Sequence, residues 1–335
     1  MKVLVIGGAG YIGSMICYTL EDNGHTPIIF DSLVSGCSAY IKNRLFYKGD
    51  ISNKEVIEKI FRENDDIEFV IQCAERSIVS ASVTNPFDYY SMNVVKSIQL
   101  FKDLCDVGCK KIIFASSAAV YDDVAGFMVT EKSPIKPRSP FARTKYITEM
   151  ILHDFCDAYG MKCIALRYFN PIGADPQGRC GSTNPRPKNI IGKLSRVITG
   201  SDRYFEIKGT DWETRDGTCM RDYVHVADVA NANIKAIENF DEVFKKVGDK
   251  NFLALNIGSG TGVTVKEFIA AFENVSGEKI TTVNGSRRPG DIAGSYANIK
   301  LAEKTIKWVP KSCIEEAIID YLRWEDIKED VLGNA

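Results

Sequence analysis

The sequence predicts an α/β protein in which an N-terminal, doubly wound parallel sheet carries a smaller C-terminal α/β lobe. A glycine-rich turn lies between a short apolar strand and a helix at the N-terminus. Short apolar runs then alternate with segments of helical periodicity as far as about Asn170, which is the pattern of parallel strands joined by crossover helices. Beyond that point, glycine and proline accumulate between Pro171 and Pro187. A chain of 335 residues favours about two packed domains.

The elements of the first half follow one another in a regular order. Apolar runs bounded by turn residues predict the strands Val3–Ile6, Pro27–Phe30, Phe69–Cys73, Ile112–Ala115 and Lys162–Arg167. Helical periodicity predicts the helices Tyr11–Asn23, Lys54–Arg62, Asp88–Asp106 and Phe141–Tyr159. Gly24, Gly108 and Gly160 stand just after three of these helices, where a helix commonly stops. We expect residues 1–170 to form the first domain, with later segments near 221–257 returning to it, and residues 171–335 to form the second lobe.

Composition and charge exclude several classes of protein. Hydrophobic residues make up 45% of the chain, charged residues 26%, and the formal net charge is −2 without a basic block. We therefore expect no nucleic-acid partner and no membrane partner. The apolar start is interrupted by glycine after four residues, so it does not read as a signal peptide. No run approaches the roughly 18 apolar residues of a membrane span, and a soluble, cytoplasmic protein is expected.

The cysteines favour the same compartment and argue against a metal centre. Ten cysteines are scattered along the chain without a CxxC pair, and there are only three histidines. We therefore expect small reduced thiols and no metal site. Reduced thiols fit the cytosol.

The first turn has the pattern of a dinucleotide site. Gly7, Gly10 and Gly13 form a GxxGxxG run between the first strand and the first helix, and Tyr11 and Ile12 lie within this run. Glycines let the backbone approach a pyrophosphate, whose charge the helix N-terminus favours.

The carboxyl ends of three further strands fit the same ligand. Asp31 ends the second strand, where a carboxylate bonds the adenosine ribose and repels a 2′-phosphate. Asp50 and Ile51 follow a further predicted strand, the third in the chain, which lies between Pro27–Phe30 and Lys54–Arg62, and Asp50 is suited to the adenine edge. Cys73 and Ala74 end the fourth strand with small side chains, as a passing dinucleotide requires. These features predict a Rossmann domain that binds NAD rather than NADP.

With these residues in place, the chain resembles the extended short-chain dehydrogenase/reductases, and most closely the UDP-galactose 4-epimerase family. The similarity runs from Met1 to about Trp308 and is carried by GGAGYIGS, GDI, ASSAAVY, RYFNPIGA, DGTCMRDYVHVADVA, LNIGSG and RRPGD. The resemblance implies a bound NAD that removes hydride from C4 of a UDP-sugar. The 4-keto sugar would then rotate and take the hydride back on its other face.

The resemblance also implies roles for individual residues. Ser117 matches the serine that hydrogen-bonds the sugar 4-hydroxyl. Lys145 matches the lysine that binds the nicotinamide ribose and lowers the pKa of the base. The positions that would hold the diphosphate, uracil and ribose are Asn170, Asn189, Arg221, Arg288 and Asp291. Arginine suits this task because its planar fork meets phosphate oxygens in pairs.

One departure from the family concerns the catalytic base. The family has a tyrosine four residues before the lysine, on the same face of a helix, and Phe141 stands at that position here. Phenylalanine has no hydroxyl, so it can neither take nor return the 4-hydroxyl proton. Losing a positioned base commonly lowers the rate by about 10²–10⁴-fold, and full epimerase activity is not expected.

Three explanations of Phe141 remain open. It is an engineered replacement, or the chain is a natural variant with another base, or it is a binding protein that has lost turnover. Tyr121 and Glu75 are the candidates for another base. Further departures favour natural divergence: Glu75 replaces a glycine, Ser77 a lysine, Ala119 a threonine and Asp122 a glycine of the family.

The sequence supports three functions in descending order. The first is an NAD-dependent UDP-sugar 4-epimerase, impaired at Phe141. The second is a non-catalytic protein that binds NAD and a nucleotide sugar. The third is a UDP-sugar dehydratase, although the Asp-Glu pair usual in the serine turn of dehydratases is absent from Ser117-Ala118-Ala119.

Two further expectations rest on the resemblance. The helices Asp88–Asp106 and Phe141–Tyr159 carry apolar residues beyond one stripe, and the matching pair forms a dimer interface in the family, so we expect a homodimer. Ser295 matches a pocket-wall position that is a bulky tyrosine in some members and small in others. A small residue there leaves room for an N-acetyl group on the sugar.

Overall fold

Seven parallel strands form the central sheet in the computed structural model, which describes residues 1–248, 250–288 and 291–333. The strands in chain order are β1 (Lys2–Ile6), β2 (Thr26–Asp31), β3 (Leu45–Lys48), β4 (Ile67–Gln72), β5 (Lys111–Ser117), β6 (Met128–Val129), β7 (Lys162–Tyr168), β8 (Asn170–Ile172), β9 (Phe205–Lys208), β10 (Met220–Arg221), β11 (Tyr223–His225), β12 (Phe252–Ile257), β13 (Val263–Thr264), β14 (Thr282–Gly285) and β15 (Gly294–Ala297). The strand order in the central sheet is β12-β7-β5-β4-β1-β2-β3. The order reverses at β1 and β4, and ligands of such sheets bind beside that point, at the carboxyl ends of the strands.

Helices cover both faces of this sheet. The helices are α1 (Tyr11–Asp22), α2 (Lys54–Glu63), α3 (Val79–Thr84), α4 (Pro86–Tyr90), α5 (Lys96–Asp106), α6 (Pro140–Tyr159), α7 (Ile190–Ile198), α8 (Val226–Glu238), α9 (Phe240–Lys246), α10 (Val265–Ser276), α11 (Lys300–Ile306) and α12 (Ile314–Gly333). Short 3₁₀ turns occupy Ser38–Ile41 and Ala118–Val120. None of the helices in the described ranges is long and apolar enough to cross a membrane.

The alternation of side chains along the strands places a separate core on each face. Val3 and Val5 of β1 point into the core beneath α1 and α8, whereas Leu4 and Ile6 point into the core beneath α2, α5 and α6. All four side chains are fully buried. The doubly wound sheet predicted from the sequence is confirmed.

The C-terminal lobe has a smaller core of its own. Phe205 of β9, Leu194 of α7, Phe268 of α10 and Ile318 of α12 belong to this core. Beside it, β13, β10, β15 and β6 form a four-stranded sheet. Segments from the second half also return to the first sheet: β12 pairs with β7, and α8 packs against α1.

The predicted helix Asp88–Asp106 is interrupted in the structure. A π-helical segment, Ser91–Val95, separates α4 from α5. Within it, buried Asn93 accepts a hydrogen bond from the Arg76 amide and donates one to the Arg76 carbonyl, both at 2.9 Å. It also donates to the Thr144 hydroxyl at 3.1 Å. The interruption therefore ties the loop after β4 to α6, a contact that apolar periodicity does not report.

Candidate functional site

The glycine turn after β1 lies in direct contact with the end of β4. Gly7 has a φ of 80°, and a Cβ atom there would lie 2.7 Å from the Ala74 amide nitrogen. A Cβ on Gly13 would lie 2.1 Å from the Gly7 carbonyl oxygen. No side chain fits these gaps, because the obstructing atoms are backbone. Gly10 precedes α1 as its N-cap residue, so α1 points its free amides at the turn.

Asp31 is anchored to this turn by backbone amides. Its Oδ2 accepts a hydrogen bond from the Ala9 amide at 3.1 Å, and its Oδ1 accepts one from the Leu33 amide at 2.8 Å. Each carboxylate oxygen keeps a second lone pair for a hydroxyl donor. Together with the glycine cradle, this arrangement fits the ribose and pyrophosphate of a dinucleotide.

The remaining predicted cofactor residues follow β3 and β4. The Asp50 carboxylate binds the Lys96 ammonium and accepts a hydrogen bond from the Ser52 hydroxyl at 2.7 Å, and Ile51 is buried beside it. These partners hold the pKa of Asp50 below its usual value although partial burial raises it. Cys73 and Ala74 lie directly after β4, opposite Gly7.

A cavity of ≈ 550 Å³ opens beside the sheet and extends into the C-terminal lobe. It brings together the predicted residues Tyr11, Ile12, Ser117, Phe141, Asn170, Asn189, Arg221, Arg288, Asp291 and Ser295. The predicted residues outside its lining are Gly7, Gly10, Gly13, Asp31, Asp50, Ile51, Cys73, Ala74 and Lys145. In the described residues, no group of three or more histidine, cysteine or acidic side chains is placed to hold a metal ion.

Phe141 and Lys145 lie one turn apart near the start of α6. Ser139 caps this helix by accepting a hydrogen bond from the Ala142 amide at 3.2 Å. Both Phe141 and Lys145 are buried, and the Lys145 ammonium lies 5.9 Å from the centroid of the Phe141 ring. Ser117 ends β5 in the same cavity, and its hydroxyl accepts a hydrogen bond from the Ala119 amide at 3.2 Å.

The partner of Lys145 is Glu75, which the sequence offered only as an alternative base. The Lys145 ammonium donates to the Ala115 carbonyl and forms an ion pair with the Glu75 carboxylate. The Glu75 side chain lines the cavity with 20% of its surface exposed. Burial raises the pKa of Glu75, an effect that Lys145 opposes. The one sequence signal was the replacement of a family glycine by glutamate.

Tyr121, the other candidate base, is committed to a buried network. Its hydroxyl donates to the Asn256 side-chain oxygen at 2.6 Å and accepts from the Arg167 guanidinium at 2.8 Å. Arg167 in turn binds Glu149 through two hydrogen bonds of 2.9 and 2.6 Å. Burial raises the pKa of Tyr121 to about 12 although Arg167 lowers it. This tyrosine therefore lacks the free hydroxyl that a base at neutral pH would need.

The opposite end of the cavity is basic. Arg221 donates hydrogen bonds to the Met220 carbonyl at 2.7 Å and the Ile292 carbonyl at 3.1 Å, and it lies 3.9 Å from the Asp291 carboxylate. Arg288 and Asp291 line the cavity, whereas Pro289 and Gly290 of the RRPGD motif lie outside the described residues. These cations suit a diphosphate.

Sequence reasoning missed three lysines at this basic end. Lys188, Lys193 and Lys208 line the cavity, and Lys208 forms an ion pair with Glu206 at 2.5 Å. Burial lowers the pKa of Lys193, and the nearby Arg288 lowers it further. No motif contains these lysines; the folding of α7 beside β9 brings them together.

Two asparagines border the same end. Asn170 donates a hydrogen bond to the Asp222 carbonyl at 3.1 Å. Asn189 caps α7 by accepting from the Gly192 amide at 3.2 Å, so its amide nitrogen is still available to a ligand. Both side chains are positioned by local backbone contacts before any ligand binds.

Ser295 lies on β15 beside Arg221 of β10 and faces the cavity. Its neighbour Tyr296 is not part of the lining and packs near Gly262, where an added Cβ would lie 2.9 Å from the Tyr296 ring. Successive residues of a strand face opposite sides, so Tyr296 does not fill the space beside Ser295.

Comparison with known proteins identifies the family of this chain. A model of the NAD dependent epimerase/dehydratase family matches residues 3–258. A UDP-glucose 4-epimerase of Bacillus subtilis is 38% identical over 336 residues, covering 97% of each chain.

Solved structures agree with this match over nearly the whole chain. A UDP-glucose 4-epimerase from Stenotrophomonas maltophila with bound NAD and formylated UDP-arabinopyranose has a TM-score of 0.91 at 31% identity, covering 98% of this chain and 99% of that one. A UDP-Glc/GlcNAc 4-epimerase from Campylobacter jejuni has a TM-score of 0.81 at 30% identity, covering 97% and 99%.

These matches confirm the resemblance to the UDP-galactose 4-epimerases, and they confirm NAD as the cofactor of the family. The glycine cradle, the amide-anchored Asp31 and the basic cavity are all features that an NAD-dependent enzyme of nucleotide sugars requires. From its sequence and its fold alike, the chain belongs to the NAD dependent epimerase/dehydratase family.

Proposed function

We propose that this chain is a slow NAD-dependent UDP-sugar 4-epimerase. The observation that carries the proposal is the cavity, in which Ser117 and Phe141 lie at one end and Arg221 and Arg288 at the other, with the buried Lys145 ammonium 5.9 Å from the centroid of the Phe141 ring. A ligand with a diphosphate at the basic end would extend its sugar toward Ser117. The relatives named as UDP-glucose 4-epimerases support the same chemistry.

The residues of the cavity have separable tasks in this proposal. When bound, NAD would accept a hydride from C4 of the sugar and return it to either face. The Ser117 hydroxyl would orient the sugar 4-hydroxyl, and Lys145 would hold the nicotinamide ribose. Arg221 and Arg288 would anchor the diphosphate while the sugar turns, since anchoring by the nucleotide leaves the sugar free to rotate.

The proposed rate is low because Phe141 offers no proton acceptor. Its ring is buried against the Lys145 ammonium, where a family tyrosine would place a hydroxyl. Positioned acid–base groups contribute about 10²–10⁴-fold. The hydride can still leave C4 without the ring hydroxyl, but the accompanying proton needs another acceptor.

The test of the function is reduction of bound NAD by a UDP-sugar. We expect the absorbance of reduced nicotinamide to rise when UDP-sugars are added to the protein loaded with NAD, because oxidation at C4 is the first half of the reaction. The second half of the reaction is measured by chromatography, which detects the released epimerised sugar. If NAD and UDP both bind but neither signal develops for any UDP-hexose or UDP-N-acetylhexosamine, the protein is a binding protein and the proposal is wrong.

The sugar specificity is proposed to include N-acetylated sugars. The space beside Ser295 stays open because Tyr296 packs on the other side of β15. We expect UDP-N-acetylhexosamines to bind at least as well as UDP-hexoses. Ser295→Tyr is expected to weaken only the N-acetyl ligands, by about 1–3 kcal/mol. Calorimetry with UDP-glucose and UDP-N-acetylglucosamine measures both, and binding of UDP-glucose alone to the unaltered protein would contradict the argument.

The protein is proposed to be a homodimer. Large apolar side chains are exposed on α4, the π-helical segment, α5 and α6. Phe87 is 79% exposed, Val95 63%, Met150 43% and Ile98 40%. Val95, Ile98 and Met150 belong to the two predicted helices whose counterparts form a dimer interface in the family that the sequence resembles. We expect sedimentation velocity to give twice the monomer mass at micromolar concentration, and Val95→Asp with Met150→Asp to give the monomer. A monomeric mass for the unaltered protein would rule out this dimer.

We further propose that the protein works in the cytoplasm. All ten cysteines are free, six of them are buried, and burial raises the pKa of each of these six thiols. Buried neutral thiols resist oxidation and metal binding. They behave as small apolar side chains and suit a reducing compartment.

A further inference from the structure

We infer that Glu75 accepts the proton of the sugar 4-hydroxyl, in place of the hydroxyl that Phe141 lacks. This inference rests on the proposed function and assigns its missing base. Glu75 lines the same cavity as Ser117 and Phe141, and its carboxylate contacts the Lys145 ammonium. Among the acidic residues that line the cavity, Glu75 is the one in contact with Lys145.

The position of Glu75 is imposed by the loop that carries it. Ala74 and Arg76 on either side are both held: the Ala74 amide donates to the Gln72 side chain at 3.1 Å, and Asn93 binds both backbone groups of Arg76. The side chain of Glu75 consequently projects from a fixed backbone into the cavity. When the residues on both sides of a reacting group are held by hydrogen bonds, the group is positioned far more closely than in a free loop.

The surroundings of Glu75 suit a proton acceptor. One of its carboxylate oxygens is buried, and among the described residues it has no hydrogen-bond donor apart from the Lys145 ion pair. Burial raises the pKa of this carboxyl, which makes the carboxylate a stronger base than an exposed one. The Lys145 ammonium opposes this rise, because an opposite charge in contact favours the carboxylate.

The other acidic groups of the cavity are less suited. Glu206 is paired with Lys208, and Asp291 lies near Arg221, both at the basic end that would bind the diphosphate. The Tyr121 hydroxyl donates a hydrogen bond to Asn256 and accepts one from Arg167. Glu75 alone among these groups stands beside Lys145.

The proposed reaction moves one hydride and one proton away from the sugar and later returns both. The C4–H bond breaks, and its electron pair passes as hydride to the oxidised nicotinamide, which is thereby reduced. The O–H bond of the 4-hydroxyl breaks at the same carbon, its proton moves to the Glu75 carboxylate, and a C4=O double bond forms. In the return step the reduced nicotinamide gives back the hydride and Glu75 gives back the proton.

The test is a double-mutant cycle between Glu75→Gln and Phe141→Tyr. In the unaltered protein, Glu75→Gln is expected to lower the rate of epimerisation by about 10²-fold or more, because it removes the sole positioned acceptor. In the Phe141→Tyr background the same change is expected to lower the rate by less than about tenfold, because the new hydroxyl takes over. Glu242→Gln, in an exposed ion pair with Lys246, is the matched control and should change neither rate.

Binding provides a readout that does not depend on turnover. Calorimetry should show that Glu75→Gln retains its affinity for NAD and for UDP within a few-fold. Loss of NAD binding would make Glu75 a cofactor ligand and overturn the inference. Equal loss of rate in both backgrounds, or no loss in the unaltered one, would also overturn it. Absence of epimerisation in all variants, including Phe141→Tyr, overturns the proposed function instead.

Discussion

Phe141→Tyr is expected to raise the rate of UDP-sugar epimerisation by about 10²-fold or more. The added hydroxyl would extend from a buried ring that already lines the cavity with Ser117 and lies 5.9 Å from the Lys145 ammonium. A cation at this distance lowers the pKa of a phenol and makes it a better proton acceptor. The measurement is the steady-state rate for UDP-glucose and UDP-N-acetylglucosamine in both proteins.

The control for this prediction separates the hydroxyl from the shape of the side chain. Phe141→Leu removes the ring without adding a proton acceptor, so it should not raise the rate. The prediction fails if the unaltered protein turns over at typical enzyme rates, about 1–10³ s⁻¹, and Phe141→Tyr does not raise its rate. Phe141 would then not impair catalysis. In that case Glu75→Gln becomes the decisive variant.

The second large effect concerns stability. Glu149→Gln is expected to lower the free energy of unfolding by about 3–5 kcal/mol, because it leaves the Arg167 guanidinium buried without its carboxylate. The two side chains are 3% and 5% exposed and share two hydrogen bonds. Such a loss is a large part of the 5–15 kcal/mol typical of a folded protein. Urea denaturation of both proteins, followed by circular dichroism, measures it.

A surface ion pair is the control for this second prediction. Glu242 is paired with Lys246 at 3.1 Å, with both side chains largely exposed. Solvent screens such a pair, so Glu242→Gln should leave the unfolding midpoint almost unchanged. If Glu149→Gln also left the unfolding midpoint almost unchanged, water would have to enter the Arg167 network. Tyr121 would then again be a candidate base.

Most of the first domain follows from local patterns. The glycine run and Asp31 could be recognised because the turn, the strand before it and the helix after it are adjacent in sequence. The strands β1, β2, β5 and β7 and the helix α6 lie within a few residues of their predicted bounds. In each of these elements, apolar periodicity and the flanking turn residues predict the same structure. Tertiary contacts therefore did not change the local preference.

The candidate site needed more than local pattern. Ser117, Phe141 and Ser295 were found through family motifs, yet their meeting in one cavity depends on the order of the strands and on the lobe that follows. Lys188, Lys193 and Lys208 carry no motif and were missed. Their shared basic surface arises only when α7 and β9 pack together.

By itself, the sequence determined the doubly wound fold and its NAD-binding turn, and its family resemblance predicted that Phe141 stands at the position of the catalytic tyrosine. The tertiary structure decided the surroundings of the two alternative bases that the sequence offered. It closed Tyr121 into a network with Arg167 and brought Glu75 to Lys145, although 70 positions of the chain separate that pair. Charged contacts of this kind depend on which strands are neighbours and on how a loop such as that after β4 is tied down. The hydrophobic periodicity of the individual segments does not predict such contacts.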